Sequence, residues 1–423
     1  MNTHQTTSLL LSLAAIVLLA RLLGALTRRL GQPAVIGEVL AGVALGPTLF
    51  HGAMSDALFP QAVRPLLGAL AAVGIAVFMF LVGLEWDSAM IRGRGSIAVT
   101  VSLGSIVVPF GLGVLLALGL MDDYGKGDRT AFMLFMGIAM SITAFPVLAR
   151  ILTDRGMTRT PLGVMALACA SIGDVLAWAL LAVVVAVGNS GGAAQWRVLL
   201  AVPYLLGMLF VLRPLLHRFA ARRPQVRLTP TVFACIIAGL LLSAAATEWV
   251  GLHYIFGAFL FGAILPRNGT ERLHTEMNNR LGQMTATLLL PVFFLVAGFK
   301  VDLSKLDAGS VGALTLIMIV AVGGKFIGAF AAARLHRMAA RQSAALATLM
   351  NTRGLTELIV LNVGLKLGFL DQDLYSLMVV MAVLTTAMTG PLLNWILSRP
   401  KGIDRPESPD EPEHAAGTVG TAV

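Results

Sequence analysis

Charged residues are scarce in this chain of 423 residues, at 13% against roughly 25% in an ordinary soluble domain. Hydrophobic residues make up 57%, and the mean hydropathy is +0.84. Uncharged runs such as 96–121 and 374–398 are long enough to cross a bilayer as helices. The scarcity of charge therefore excludes a water-soluble globule. The length of the runs excludes a porin-like barrel, whose strands alternate over roughly 10 residues.

Cysteine and clustered metal ligands are scarce as well. The two cysteines, Cys169 and Cys235, fall inside apolar segments, so no disulfide framework is expected. Because the chain has no His-Glu-x-x-His motif and no cysteine cluster, we expect neither a transition-metal site nor a cofactor. The net charge of +9 comes mostly from basic residues between apolar runs, which indicates membrane topology rather than nucleic-acid binding. The composition predicts a multi-pass membrane protein that is not an enzyme.

About 20 residues cross a bilayer as one helix, and on this measure the chain contains thirteen predicted spans. They lie near 8–26, 33–50, 66–84, 96–120, 130–152, 161–188, 198–217, 229–247, 252–266, 281–299, 310–334, 342–364 and 373–397. The remaining segment, 398–423, is rich in Pro, Asp and Glu, and we expect a disordered cytoplasmic tail without a regulatory domain. The predicted fold class is an all-α polytopic membrane protein.

Lysine and arginine are distributed unequally between the two sides of the membrane. Of these 31 residues, 21 lie on the side of the tail and 7 on the other side, while Arg21, Lys325 and Arg353 lie within spans. Basic residues are enriched in cytoplasmic connections. The N-terminus is therefore predicted outside the cell membrane and the C-terminus in the cytoplasm.

The chain also contains an internal repeat. The segment 37–42 (Gly-Glu-Val-Leu-Ala-Gly) is echoed by 257–262 (Gly-Ala-Phe-Leu-Phe-Gly), and 77–87 aligns without gaps on 292–302 at a shift of 215 residues. Spans 2–6 thus repeat as spans 9–13. Because the second repeat begins seven crossings after the first, its orientation is reversed. Two inverted five-helix repeats are typical of secondary transporters.

Two predicted spans are interrupted at corresponding positions of the repeat. Span 5 carries Ser141, Thr143 and Pro146 at mid-length, and span 12 carries Asn351-Thr-Arg-Gly354. Unpaired backbone at membrane depth persists only where it lines a cavity or is buried in protein. A kink satisfied by neighbouring helices is the alternative interpretation. The paired interruptions favour crossed broken helices around an ion or substrate site.

Acidic residues inside the spans are few. Asp174 stands about thirteen residues into span 6, and at roughly 1.5 Å per residue it lies near mid-membrane. A carboxyl group there can hold a proton or a monovalent cation in turn, and intramembrane acids usually mark ion pathways. Asp174 is therefore the predicted ion- and proton-binding residue, with a structural ion pair to Lys325 as the alternative. Hydroxyl ligands are expected from Ser141, Thr143 and Ser171.

Four further charges in the spans are expected to support this site. Lys325 either provides a counter-charge to the empty site or gives up its own proton during the cycle. Arg353 cannot deprotonate, and Glu357 four residues later makes a structural pair the favoured interpretation. Glu38 either lines the access path or forms hydrogen bonds within the scaffold.

Five motifs stand out in the spans. They are Gly31-Gln-Pro-Ala-Val-Ile-Gly-Glu38, Phe78-Met-Phe-Leu-Val-Gly-Leu-Glu85, Thr143-Ala-Phe-Pro-Val-Leu-Ala-Arg-Ile-Leu152, Gly173-Asp-Val-Leu-Ala-Trp178 and Asn351-Thr-Arg-Gly-Leu-Thr-Glu-Leu-Ile-Val-Leu361. Together they resemble the monovalent cation:proton antiporter-2 family, in particular its Kef-type transporters and plant cation/proton exchangers. The match covers about residues 8–397.

The resemblance implies the sodium/proton antiporter fold, a homodimer and an elevator-type alternating-access cycle. It implies a dimerisation scaffold at 1–95 and 198–305, with span 7 as a linker. The ion-transporting core would then comprise 96–197 and 306–397.

The resemblance also implies roles for individual residues. In the family, the acidic residue matching Asp174 binds cation and proton in turn, and the lysine matching Lys325 supports the site. The unwound stretch matching Ser141 and Thr143 helps to ligate the ion. Gly173 departs from the family pattern, which often has Asp or Asn at that position. With a single core carboxylate, we expect exchange of one cation for one proton without net charge.

These features predict a secondary antiporter that exchanges Na⁺ or K⁺ for H⁺ across the lipid bilayer. The residues do not distinguish the two cations. One alternative is a proton-coupled exporter of an organic solute, which would need aromatic pocket walls that spans 5, 6 and 12 nearly lack. Another is a channel or sensor subunit that exchanges nothing. A Kef-type nucleotide-binding domain is missing after the spans, so regulation by such a domain is not expected.

Overall fold

The computed structural model describes residues 3–46, 56, 58–85, 95–125, 128–188, 200–221, 228–250, 253–267, 270–304 and 308–398. These residues form helices and connections, with one isolated β-bridge between Gly125 and Leu370. The helices are α1 (Thr3–Arg29), α2 (Ala34–Leu45), α3 (Arg64–Glu85), α4 (Gly95–Tyr124), α5 (Arg129–Ser141), α6 (Phe145–Asp154), α7 (Pro161–Gly188), α8 (Ala201–Ala221), α9 (Pro230–Val250), α10 (Tyr254–Ile264), α11 (Glu271–Gly298), α12 (Ala308–Leu335), α13 (Ala340–Met350), α14 (Leu355–Lys366) and α15 (Gln372–Leu397). The all-helical class is as predicted.

Within the described ranges, nine helices are long and apolar enough to cross a membrane: α1, α3, α4, α7, α8, α9, α11, α12 and α15. Helices α2, α5 and α10 are apolar but shorter. The count of thirteen crossings stays a prediction. The predicted tail lies outside the described residues, apart from Ser398.

Helix α11 begins well before the start that hydropathy predicts for span 10, near residue 281. It starts at Glu271 with a polar stretch whose buried residues are Leu273, Met277 and Leu281. Their four-residue spacing places them on one face of the helix. A helix that is apolar on one face alone has low average hydropathy, so a count of uninterrupted apolar residues misses it.

The two predicted interruptions are breaks between separate helices. Helix α5 ends at Ser141 and α6 begins at Phe145, with a proline in its first turn. Proline has no backbone N–H to continue a helix, but it fits the first turn, where that donor has no partner anyway. Helix α13 ends at Met350 and α14 begins at Leu355. At each break, carbonyl groups at the end of the first helix and N–H groups at the start of the second have no partner within their own helix. These backbone groups need other hydrogen-bond partners.

The helices pack in two groups. Helices α1, α2, α3, α9, α10 and α11 contact one another, and so do α4, α5, α7, α12, α13 and α15. The broken helices belong to the second group, through the contacts of α5 with α4 and of α13 with α12.

Glycine pairs allow the closest helix crossings. An added Cβ on Gly42 of α2 would lie 2.8 Å from the Leu295 carbonyl oxygen and 2.9 Å from the Gly298 Cα of α11. Gly83 of α3 and Gly262 of α10 likewise press against the backbone of each other's helix. Residues without side chains let helix backbones approach this closely. The glycines therefore fix where these helices cross.

Candidate functional site

The connections between the broken helices meet at one crossing. The backbone N–H of Ala144 donates to the carbonyl oxygen of Thr352 at 2.9 Å. Thr143 Oγ1 donates to the carbonyl oxygen of Met350, also at 2.9 Å. These two hydrogen bonds satisfy backbone groups that the breaks leave free. They also hold the two connections against each other.

Buried cations bind the carboxyl end of α5. Lys325 Nζ, from α12, donates to the carbonyl oxygen of Ser141 and, at 2.5 Å, to Thr143 Oγ1. The guanidinium of Arg353 donates to the carbonyl oxygens of Ala139 at 2.5 Å and Met140 at 2.6 Å. A helix C-terminus carries negative partial charge, which positive side chains stabilise. The last three carbonyl groups of α5 thus have charged donors.

Arg353 is also paired with an acid. Its Nη1 lies 2.9 Å from Glu357 Oε2, and both side chains are fully buried. Glu357 lies in the first turn of α14, where negative charge is favoured by the helix dipole. The structure therefore brings together the two residues that the sequence predicts as a structural pair.

Asp174 lies near the middle of the 28-residue α7 and is 3% exposed. Its carboxylate accepts a hydrogen bond from the backbone N–H of Phe145, the first residue of α6. Its Oδ1 has no hydrogen-bond partner among the described residues. Asp174 thus lies at the N-terminal end of α6, which carries positive partial charge. Lys325 and Arg353 lie at the C-terminal end of α5, which carries negative partial charge.

The structure does not pair Asp174 with Lys325. In the described part of the chain no ion pair within 4.0 Å joins them, because the lysine ammonium is bound to the connection between α5 and α6. The structural ion pair, which was the alternative interpretation for Asp174, is not formed. The Lys325 charge still acts on Asp174 through space.

The predicted hydroxyl ligands lie in different surroundings. Ser141 Oγ is within donor range of the carbonyl oxygens of Gly137 at 2.7 Å and Ile106 at 3.0 Å. Thr143 Oγ1 joins Lys325 to the carbonyl oxygen of Met350. Ser171 is buried one helical turn before Asp174. The hydroxyl groups of Ser141 and Thr143 therefore donate their protons to backbone carbonyl groups. A cation could contact these two side chains only through the lone pairs of their hydroxyl oxygens.

Glu38 lies outside the crossing. It lines a cavity of about 290 Å³ together with Arg21, Arg28, Arg150 and Val147. The cavity separates helices α1, α2, α3 and α11 from α6. This position favours the access-path interpretation of Glu38 over a hydrogen bond within the scaffold.

Two residues at the crossing gain importance from the structure. Thr386 Oγ1 of α15 donates to the carbonyl oxygen of Arg353 at 2.6 Å and accepts from its backbone N–H at 3.1 Å. Asn351 is buried, and its Oδ1 has no partner among the described residues. Thr386 lies 215 residues after Ser171, which is the shift of the internal repeat. The repeat therefore relates Thr386 to a predicted hydroxyl ligand and could have identified it from sequence. Asn351 belongs to the predicted interruption of span 12, and the structure adds that its side-chain oxygen has no partner among the described residues.

Comparison with known proteins identifies relatives along nearly the whole chain. The sequence profile of the family described as "Sodium/hydrogen exchanger, transmembrane" matches residues 14–399. The Na⁺/H⁺ antiporter NhaS4 of Synechocystis sp. is 39% identical over 416 residues, which cover 95% of this chain and 100% of that protein. The Cation/H⁺ antiporter 20 of Arabidopsis thaliana is 36% identical, and the K⁺/H⁺ antiporter 1 of Saccharomyces cerevisiae is 33% identical.

The plant and yeast relatives are longer proteins. Their alignments cover 94% and 85% of this chain, but 49% and 43% of the relatives' own lengths. The fold is shared with a solved structure, the sodium proton antiporter MjNhaP1 of Methanocaldococcus jannaschii. The TM-score is 0.68 over 92% of this chain and 96% of that one, at 13% identity.

Proposed function

The chain belongs to the transmembrane sodium/hydrogen exchanger family, and we propose that it exchanges a monovalent cation for H⁺ across a membrane. The names of its relatives include Na⁺/H⁺ and K⁺/H⁺ antiporters. Both Na⁺ and K⁺ are therefore candidate substrates. The family and the apolar helices make the chain a multi-pass membrane protein.

The observation that carries the proposal is the environment of Asp174. Its carboxylate is buried near mid-helix beside two broken helices, and one of its oxygens has no hydrogen-bond partner among the described residues. A buried acceptor without a partner is costly. A bound proton or a bound cation would each supply that partner. The orphan Oδ1 of Asn351 at the same crossing is a candidate second oxygen for the cation.

Competition for one carboxylate couples the two fluxes. Asp174 holds either the proton or the cation, so one cation moves for each proton without net charge. Lys325 serves as a fixed counter-charge, because its ammonium is bound to the Ser141 carbonyl and the Thr143 hydroxyl. The Arg353–Glu357 pair holds the breaks in place. Candidate hydroxyl ligands are Ser141, Thr143 and Ser171.

The two packing groups support an elevator-type cycle. We assign residues 1–95 and 198–305 to the scaffold and 96–197 and 306–397 to the moving core. Two helix crossings support the inverted repeats: Gly42 packs on Gly298, and Gly83 of α3 and Gly262 of α10 each pack against the backbone of the other's helix. The repeat relates span 2 to span 9 and span 3 to span 10, so each contact is the counterpart of the other. On this assignment the thirteen spans form two inverted repeats, with the crossed breaks in the core.

Membrane placement completes the proposal. The protein acts as a homodimer in the cell membrane, with its N-terminus outside and its C-terminus in the cytoplasm. The 290 Å³ cavity beside Glu38, which is rich in arginine, then opens on the cytoplasmic side and is the access path to the core. This orientation follows from the distribution of Lys and Arg.

The proposal is tested by Asp174→Asn in reconstituted proteoliposomes. Native protein should dissipate an imposed proton gradient when Na⁺ or K⁺ is added, across a range of pH values. The substitution removes the titratable charge at nearly constant volume, so we expect cation-dependent proton flux to fall to the level of empty liposomes. Asp123→Asn is the matched control, because the exposed Asp123 lies at the far end of α4.

Flux at the native level in Asp174→Asn would refute the assignment of the site. A native protein that conducts the cation continuously, with no dependence on the proton gradient, would refute exchange itself. Current during turnover at zero imposed potential would contradict the one-for-one stoichiometry.

A further inference from the structure

Four arginines line two adjoining cavities between the packing groups. Arg21, Arg28 and Arg150 line the Glu38 cavity of about 290 Å³, and Arg28 and Arg155 line a second cavity of about 400 Å³. Arg21 and Arg28 belong to α1, Arg150 belongs to α6, and Arg155 directly follows α6. Because Arg28 lines both cavities, they form one groove between α1 and α6. We call it the arginine groove.

The charge of the arginine groove is unbalanced. Among the described side chains that line it, Glu38 is the single acid beside four arginines. The charges of Arg21, Arg28 and Arg150 all act on Glu38 through space, so these three guanidinium groups share one acid. A planar guanidinium group matches phosphate oxygens with two parallel hydrogen bonds. The arginine groove therefore has the charge and the donors of a phosphate site.

One acceptor in the arginine groove has no partner. Gln32, in the connection between α1 and α2, lines the 400 Å³ cavity, and its Nε2 donates to the Ala387 carbonyl oxygen at 3.1 Å. The buried Oε1 of Gln32 has no hydrogen-bond partner among the described residues. An ionised phosphate group cannot donate to this oxygen, but a hydroxyl group can. The two observations together indicate a ligand that carries both a phosphate and a hydroxyl group.

The arginine groove also leads to the crossing of the broken helices. Thr386 lines the 400 Å³ cavity, and its hydroxyl group is hydrogen-bonded to the backbone of Arg353. Helix α1 belongs to one packing group, whereas α6 contacts α7 of the other group. A ligand held between α1 and α6 would therefore contact both groups at once and lie on the way to the crossing.

We propose that the arginine groove binds a phosphate ester that carries a hydroxyl group, such as a glycerol phosphate, and that the bound ester slows exchange. Its phosphate oxygens accept hydrogen bonds from Arg28 and Arg155, and its hydroxyl group donates to Gln32 Oε1. An occupied groove cannot close, so the core cannot complete its movement. The effect on rate rests on the proposed function, whereas binding is measured without it.

Two kinds of molecule carry this chemistry. One is an anionic lipid with a glycerol phosphate head group, and the other is a soluble glycerol phosphate. Basic pockets between membrane helices on the cytoplasmic side bind phosphate-bearing head groups. Leu18, Leu22 and Leu26 lie on one face of α1 and are 51–70% exposed, which gives acyl chains an apolar surface on the helix that carries Arg21 and Arg28. The experiment has a soluble arm and a lipid arm to separate the two sources.

The soluble arm measures binding to the full chain in detergent. Glycerol 3-phosphate, added as its Tris salt, should raise the thermal unfolding midpoint over Tris chloride of equal ionic strength. Arg28→Gln removes one charged donor from the arginine groove, so the half-saturating concentration should rise about tenfold. Arg29→Gln is the matched control and should keep the native value, because Arg29 lies in the same last turn of α1 but lines neither cavity.

The lipid arm compares phosphatidylglycerol with phosphatidylmethanol, each mixed with phosphatidylcholine in proteoliposomes. The two anionic lipids carry the same charge, but the phosphatidylmethanol head group has no hydroxyl. If the lipid is the ligand, cation-dependent proton flux should be about fivefold slower with phosphatidylglycerol than with phosphatidylmethanol. This difference should disappear in Arg28→Gln and persist in Arg29→Gln. If the soluble ester is the ligand, glycerol 3-phosphate on both sides of phosphatidylcholine vesicles should slow flux instead.

A comparison on native protein covers the case in which Arg28→Gln does not fold. Methyl phosphate has no hydroxyl group for Gln32 Oε1, so it should bind about fivefold more weakly than glycerol 3-phosphate. Equal binding of the two esters would refute the role of Gln32.

The arginine groove would be overturned as a site if native protein responded in neither arm, or if Arg28→Gln responded as native protein and Arg29→Gln do. Faster flux with the ligand bound would refute the slowing of exchange. If native protein binds glycerol 3-phosphate but shows no cation-dependent flux in any vesicle, the proposed function fails while the binding site stands.

Discussion

Arg353 and Lys325 are both buried cations, but their partners differ in kind. Arg353 presents a planar fork of donors, which contacts the carbonyl groups of Ala139 and Met140 as well as Glu357. Lysine is a point charge on a flexible stem and cannot match that fork. A buried charge pair is strongly destabilised when one partner is removed, since the other is left unpaired. At the scale of the residue, Arg353 is therefore a structural clamp.

Arg353→Met should destabilise the protein by about 3–5 kcal/mol, because Glu357 would be left buried without a partner. The measurement is equilibrium unfolding of the purified protein in detergent. Adding Glu357→Gln should recover part of the loss, because the unpaired charge is gone while the two carbonyl groups stay without donors. Arg272→Met breaks an exposed pair with Glu276 and should cost less than about 1 kcal/mol. Equal losses for Arg353→Met and Arg272→Met would contradict the clamp.

The sequence suffices to single out Asp174, because an acid in a long apolar run is rare and costly. It does not suffice to assign the partner of Lys325. Which way a side chain on α12 points depends on how α12 packs against α4 and α5, residues far away along the chain. The ammonium contacts a carbonyl group and a threonine hydroxyl rather than the carboxylate. Pro146 marks the break in the sequence, but no residue type indicates that the freed carbonyl group of Ser141 binds the lysine.

At the scale of the helix, close packing replaces the hydrophobic effect as the source of helix association in lipid. Helices α4 and α12 cross at Gly104 and Gly328, each of which faces the backbone of the other. An added Cβ on Gly104 would lie 2.6 Å from the Gly328 carbonyl oxygen. This crossing joins the helix that carries Lys325 to the helix that packs on α5 and α7.

Gly104→Ala should lower the thermal unfolding midpoint in detergent, because two backbones must move apart to admit one methyl group. The cost of such overpacking is about 1–3 kcal/mol. Gly111→Ala on the same helix is the matched control, since no atom lies within 4 Å of its added Cβ. Alanine is the better helix former, so the control should be neutral or slightly stabilising. An unchanged unfolding midpoint for Gly104→Ala would contradict a backbone contact between α4 and α12 at this crossing.

Helix positions are largely predictable from sequence, and helix ends less so. Apolar runs place α4, α7 and α12 to within a few residues. The start of α11 escapes this method, because Leu273 and Met277 are spaced for one buried face within a polar stretch. The breaks are visible as Pro146 and Gly354, but their crossing depends on hydrogen bonds between residues some 200 positions apart.

At the scale of the whole molecule, the interface between the packing groups differs at its two ends. At one end, Tyr375 Oη donates to the Ala297 carbonyl oxygen at 3.1 Å, and Lys300 Nζ donates to Asn362 Oδ1 at 2.5 Å. These hydrogen bonds join α11 and the connection after it to α15 and α14. At the other end lies the 290 Å³ cavity of Glu38. An elevator cycle would break the first contacts and close the cavity.

Cysteine accessibility tests this arrangement together with the predicted orientation. Ala286 lines the Glu38 cavity, and Ala313 lines a separate cavity of about 520 Å³ beside Asp123 and Asp373. In a background carrying Cys235→Ala, which removes the exposed native cysteine and leaves the buried Cys169, each position would be replaced by cysteine in turn. A membrane-impermeant maleimide should then label Ala286→Cys in inside-out vesicles.

Ala313→Cys should be labelled in right-side-out vesicles instead, because the two cavities open on opposite faces of the membrane under the proposed topology. Labelling of both positions from one face would contradict that topology. Labelling of each from the face opposite to the expected one would keep the topology but reverse the orientation inferred from Lys and Arg. The elevator cycle also predicts a change in labelling rate. When a proton gradient is imposed and the cation is added, the rate at which the maleimide labels Ala286→Cys should change. An unchanged rate during measured exchange would mean that the cavity stays open throughout the cycle.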